Sequence, residues 1–328
     1  MILVGKGKKP TNDGRPILRK KRSALEGFAR EMVANRSLYL MILPALVVLI
    51  LFAYLPMYGI QVAFRNYNAS DGITGSPWVG LKNFLFFFKS IFFGRLTFNT
   101  LFLNLLFLCA GLVMQVSTAV LINEVLSRRY QKILQTAMFF PYFLSWIVVS
   151  TLVNALLNES YGIMNNILRF FGSEGVVWYK KPEYWPAILT IANVWKSMGY
   201  GIVIYLAKIA GIDQEMYEAA RIDGANKAQE IFGITLPNLV PTIVLLLLLG
   251  VGNMFRGDFA MVYQLTGEGG VLNATTDVID TFVYRAMRVQ GQYGLSAAIG
   301  LYQSLMGLIL VLLSNWLVKR YDRDMAIF

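Results

Sequence analysis

The 328 residues contain no histidine and a single cysteine. Without imidazole there is no Ser/His/Asp or Cys/His nucleophile, no histidine-ligated metal, and the commonest general base is missing. The lone thiol, Cys109, lies inside an apolar run, so no intramolecular disulfide can form and the redox compartment is not indicated. Carboxylates are also sparse, 19 Asp and Glu against 30 Lys and Arg, and within the long apolar runs only Glu124, near one end, is acidic. A proton- or ion-coupled carrier needs carboxylates inside its spans or a broken-helix repeat. A channel needs rings of charge or a filter loop. An integral membrane enzyme would need a catalytic pair that these runs do not supply. No catalytic residue and no metal ligand is therefore assigned.

What the chain has in abundance is apolar length. It is 56% hydrophobic and 15% charged, with a mean hydropathy of +0.53, the signature of a polytopic membrane protein. Six runs reach the roughly 20 residues that cross about 30 Å of hydrocarbon: 38–64, 98–125, 133–157, 187–209, 239–255 and 294–318. All six are expected as helices, because backbone facing lipid must satisfy its own hydrogen bonds. Lys and Arg cluster at alternate connections. Ten lie in residues 1–36, then come Arg128, Arg129 and Lys132, and finally Lys319, Arg320 and Arg323. By the positive-inside rule both termini belong in the cytoplasm, with 65–97, 158–186 and 256–293 on the other side. The net charge of +11 and pI of 9.6 follow from this topology and do not point to nucleic acid.

The expected domains are a basic cytoplasmic leader (1–36), a six-span body (37–318) and a short cytoplasmic tail (319–328). Residues 1–22 are rich in Gly, Lys, Arg and Pro and read as disordered. The stretch around Gly5, GKGKKPT, lacks both the spacing of a phosphate loop and a preceding strand. From Ser23, with Glu26 at capping-box spacing and Leu25, Phe28, Ala29, Met32 and Val33 on one face, an interfacial helix is expected. The apolar run starts too late and is too long for a cleaved signal peptide.

Residues 211–237 form a polar connection too long and too helical for a tether. It reads as two short helices broken at Gly224, with Pro237 as a stop or restart. Glu218, Ala219 and Ala220, then Gly224 after three residues, then Ile234, Leu236 and Pro237, reproduce the EAA-x3-G-x9-I-x-LP pattern. This motif resembles that of permease subunits of bacterial ATP-driven (ABC) importers. The segments 193–225, 275–285 and 293–301 look like carbohydrate-importer permeases, of the maltose-F-like type and its polysaccharide and alginate branch. The likeness covers about 35–325, except that 257–266 (GDFAMVYQLT) departs from the expected pattern.

The resemblance implies an all-α membrane protein with the type I ABC importer permease fold: six transmembrane helices and a cytoplasmic coupling helix. It implies a multi-pass subunit of the bacterial cytoplasmic membrane that is itself no enzyme and binds no cofactor, ATP and Mg being held by two partner ATPases. A second, different permease, an external solute-binding protein and a saccharide complete the expected partners, together with membrane lipid. Glu218 would supply a charged contact to the ATPase, Ala219 and Ala220 close approach, and Gly224 the turn; Ile234, Leu236 and Pro237 complete the motif. Arg221, Asp223 and Lys227 stay open between this interface and plain solvation. A secondary carrier or channel with a cytoplasmic docking loop is the alternative function.

Polar residues inside spans tend to face a bundle interior or cavity. Asn104, Gln115, Asn154, Asn193, Lys196, Asn253 and Gln303 are candidates for a transport path, with Trp195, Tyr200 and Tyr302 as ring-stacking partners for a sugar. Interhelical hydrogen bonding is the competing role, and for Lys196 snorkelling at an interface. Residues 78–88 and 161–171 are amphipathic and suit either a delivery protein or the membrane surface.

Overall fold

The computed structural model describes residues 34–267, 270–322 and 326. The leader helix expected from Ser23 lies outside the described residues. The chain divides into two compact units, 1–58 and 59–328. In the first, α1 (Arg36–Leu49) continues into a π turn, Ile50–Tyr54, and the 3-10 stretch that follows, Leu55–Phe64, contains the boundary between the units. Pro56 cannot donate to the carbonyl four residues back, and the helix widens just ahead of it.

The second unit carries α2 (Lys82–Lys89), α3 (Phe92–Asn123), α4 (Arg128–Phe139), α5 (Trp146–Leu157) and α6 (Ile163–Phe170). These are followed by α7 (Trp185–Ala210), α8 (Gln214–Ile222), α9 (Leu236–Gly252), α10 (Phe259–Thr266), α11 (Ile279–Arg288) and α12 (Tyr293–Tyr321). Among the described residues the only β pairing is an isolated bridge between Arg65 and Trp78.

Among the described residues five helices are long and apolar enough to cross a membrane, and a bent pair of helices makes a sixth candidate if it is taken as one span. The expected third span, 133–157, is therefore not one helix. α4 ends in a 3-10 turn, Phe140–Phe143, Leu144 is extended, and α5 leaves at 101°. Pro141 sits at the start of the 3-10 turn, and Ser145 caps α5 by accepting from the Val148 N–H. A carbonyl freed by the break, that of Tyr142, accepts from Lys196 Nζ at 3.1 Å.

The core sits where α3, α7 and α9 meet: Val116, Ala119, Val120 and Ile122 against Val194, Met198, Ile202 and Tyr205, with Leu239. Lipid tails are as apolar as these side chains, so packing rather than water exclusion holds such a bundle. Close approach depends on Gly199, where a Cβ would collide with the Met138 carbonyl and Phe139 backbone. Phe87 of α2 is buried among Phe93, Phe282 and Tyr302, which takes one of the two amphipathic segments, 78–88, onto the bundle. In the other segment, α6, Phe170 and Phe171 remain exposed.

Candidate functional site

Asp213 caps α8 by accepting from the Glu215 N–H at 3.0 Å. The helix ends at Ile222, and Gly224 has φ +81°, the left-handed geometry that favours glycine at a helix C-terminus. Ala225 N–H reaches back to the Ala220 carbonyl at 2.9 Å and closes the turn. Asn226 and Gln229 then form a capping box that starts a single turn, Lys227–Glu230. A π turn, Ile231–Thr235, joins it to α9. Pro237 sits in the first turn of α9, so of the two expected readings, stop or restart, it is the restart, with the π turn absorbing the missing N–H as it does before Pro56.

The hairpin is locked from within by a residue the motif does not mark. Glu230 is 4% exposed. Arg221 donates to it through Nε at 2.8 Å and Nη2 at 3.3 Å, and Lys227 Nζ donates to Oε2 at 3.0 Å. Lys227 also pairs with Glu124, just past the end of α3, at 3.2 Å. The bonded Glu230 carboxylate raises the pKa of Arg221, fixing the pair in its charged form. Tyr217 and Thr235 share a buried hydrogen bond of 2.9 Å across the hairpin. Arg221 and Lys227 are thus committed to an internal cluster, whereas Asp223 is exposed. Outward, Glu218, Ala219 and Gly224 are exposed with Ala220 half-buried, and the apolar Ile222 and Phe232 are exposed by 86% and 71%. Ile234 and Leu236 are half-buried and Pro237 is exposed.

Farther along the same helices, α3, α7 and α9 enclose a cavity of about 440 Å³. Its polar wall is Asn104, Gln115, Asn193, Ser197, Tyr200, Asn253, Arg256 and Asp258. Five of the ten path candidates converge here, namely Asn104, Gln115, Asn193, Tyr200 and Asn253. Asn104 also braces the rim, donating to the carbonyls of Met254 and Arg256 at 3.0 and 3.1 Å. Gly201 is part of the wall, and a Cβ there would meet the Gln115 amide.

The other five stand elsewhere. Lys196 bonds the Tyr142 carbonyl and lies over the Tyr142 and Trp146 rings, where it completes the broken span. Gln303 is buried and donates to the Phe255 carbonyl and to Asp280. Asn154 accepts from the Tyr161 hydroxyl, Tyr302 belongs to the Phe87 cluster, and Trp195 is exposed off the cavity. Asp280 also accepts from Gly257 N–H, and burial raises its pKa. Arg256 and Asp258 were not foreseen, because they lie in the connection after the fifth span; the charged pair Arg256 and Asp258 closely following Asn253 was the available sign. Among the described residues no group of three or more His, Cys, Asp or Glu is placed to hold a metal ion.

A family model described as "Binding-protein-dependent transport system inner membrane component" matches residues 108–325. The chain is 38% identical over 298 residues to the polygalacturonan/rhamnogalacturonan transport system permease protein YteP of Bacillus subtilis (strain 168), covering 90% of this chain and 91% of that one. It is 33% identical to the trehalose/maltose transport system permease protein MalF of Thermococcus litoralis, covering 87% and 94%. Among solved structures, a chain of a bacterial ABC transporter involved in the import of the acidic polysaccharide alginate superposes with a TM-score of 0.83 at 34% identity, covering 90% and 99%. A chain from the bacterial alginate transporter in complex with an alginate pentasaccharide-bound periplasmic protein gives 0.81.

Proposed function

The chain belongs to the binding-protein-dependent transport system inner membrane components, and from that premise we propose that it forms one half of the path by which an ATP-driven importer moves an oligo- or polysaccharide across a bacterial cytoplasmic membrane. In this reading two ATPase subunits bind ATP and Mg, a second and different permease completes the path, and an external binding protein delivers the solute. Both termini and the 211–237 hairpin face the cytoplasm.

The observation that carries the reading is the hairpin. It offers Glu218, Ala219, Ile222 and Phe232 outward, and an ion-pair cluster around the buried Glu230 ties it to the end of α3, while the π turn carries the chain on into α9. An apolar pair beside small residues suits a cleft in a protein partner. Because Glu230, Lys227 and Glu124 link hairpin and spans, displacement of the hairpin moves α3 and α9 with it. Those two helices line the cavity, so its exposure changes with the state of the ATPases. Amides and tyrosines there give donors and acceptors for hydroxyls and an aromatic face for a sugar ring.

Reconstituted with its partners, the chain is expected to drive uptake of at least one labelled saccharide from a panel of mono-, oligo- and polysaccharides, dependent on ATP and on the delivery protein. Asn193→Ala and Asn253→Ala are expected to lower that uptake by roughly tenfold, the scale of one or two lost hydrogen bonds, with the ATPases still co-purifying. Uptake of the same size without ATP would sink the reading.

A further inference from the structure

Among the described residues Arg256 is the only Lys or Arg lining the cavity. Its side chain has no hydrogen-bond, ion-pair or ring partner among the described residues. The two nearby carboxylates have their hydrogen bonds elsewhere, and Asp280 attracts Arg256 only through space, without a direct bond. Asp258 accepts from the Met261 N–H at 3.0 Å, and Asp280 accepts from Gly257 N–H and Gln303 Nε2.

The backbone under Arg256 is held on three sides. Its N–H donates to the Asn253 carbonyl at 2.9 Å, its carbonyl accepts from Asn104, and the next N–H, that of Gly257, is bonded to Asp280. A Cβ at Gly257 would meet Val278 and Asp280, so the turn has little room to move. A guanidinium is thus carried by a fixed turn at the end of α9 away from the hairpin, beside Asn253 and Asp258. Lys196, on α7, is already spent on Tyr142 and lies off the cavity.

A guanidinium presents five donors in a plane and no acceptor, a geometry that matches a carboxylate with two parallel bonds. We propose that Arg256 makes this cavity selective for acidic saccharides, pairing with a uronate carboxylate while Asn193, Tyr200 and Asn253 hold hydroxyls. The proposal rests on the saccharide-import reading and adds to it the charge of the substrate. It gives Arg256 a role in selection, with no part in coupling.

The test uses the intact permease–ATPase complex in nanodiscs without the delivery protein, so that selectivity reports on the cavity. Binding of labelled uronate trisaccharides is compared with that of their carboxyl-reduced, neutral counterparts. The wild-type complex is expected to prefer the acids by roughly tenfold, in a salt-sensitive manner. Arg256→Gln should lose about that factor for the acids and less than about twofold for the neutral forms, with Arg256→Lys between. Equal binding of the two classes by the wild type, or equal loss of both in Arg256→Gln, overturns the proposal and leaves saccharide import standing. Binding of neither class, with no uptake of any saccharide in the panel above, removes the import reading and this proposal with it.

Discussion

Glu230→Ala is expected to lower ATP-driven uptake on the order of tenfold or more while the chain still inserts and its spans still pack. The substitution removes the carboxylate that Arg221 and Lys227 both address. Two cations, each more than half exposed, are then left facing each other without their shared carboxylate, and the single turn Lys227–Glu230 loses its tie to α8. The hairpin can still meet a partner through Ile222 and Phe232, but it no longer moves α3 and α9 as one body. The signature is therefore ATP hydrolysis that continues with little transport. Glu230→Gln, which keeps the volume and one acceptor, should fall between alanine and wild type. Arg221→Met alone should be milder than Glu230→Ala, because Lys227 still neutralises the carboxylate. Parallel measurement of hydrolysis and uptake in proteoliposomes checks the series, and full coupling in Glu230→Ala would remove the cluster from the mechanism.

A second large effect is expected at Gly199, set against its neighbour Gly201. In Gly199→Ala the new Cβ collides with the backbone of Met138 and Phe139, which is pinned at the break of the third span and cannot move alone. Overpacking of this kind costs about 1–3 kcal/mol. In Gly201→Ala the obstacle is the far end of Gln115, a flexible side chain that can swing into the cavity. The first variant should melt earlier by several degrees, on the order set by that cost. The second should keep its stability and bind substrate less well. Thermal unfolding of the purified complex, followed with and without saccharide, separates the two. A reversed order of stabilities would show that α7 does not pack on the broken span as described.

These outcomes mark where the sequence was legible. Five apolar runs became five continuous helices because length and hydropathy suffice to specify a helix in lipid. The third run also passed that test, yet FPYFLS within it carries Pro141 and the cap Ser145, and these local signals overrode uniform apolarity. Gly224 was readable as a break because only the left-handed turn closes α8 there. The burial of Glu230 was not readable, since its partner Arg221 lies nine residues back and meets it only after that turn reverses the chain.

In the spans, polarity alone could not separate a cavity wall from a structural bond. Asn193 and Asn253 line the cavity, while Gln303 and Lys196 satisfy backbone carbonyls. Asn104 does both. A side-chain amide or ammonium inside lipid looks the same in sequence whichever partner it finds.

The central claim is that the exposed face of the 211–237 hairpin is where an ATPase drives this chain. The single cysteine makes a direct measurement simple. Cys109→Ala clears the background, and Ala219→Cys then places one thiol on the exposed face, one turn from Ile222, for a short thiol-to-amine cross-linker in the reconstituted importer. The account predicts an adduct with the ATPase subunit whose yield changes when ATP is added. A complex that takes up saccharide normally yet gives no ATPase adduct from this position, with or without ATP, would contradict it.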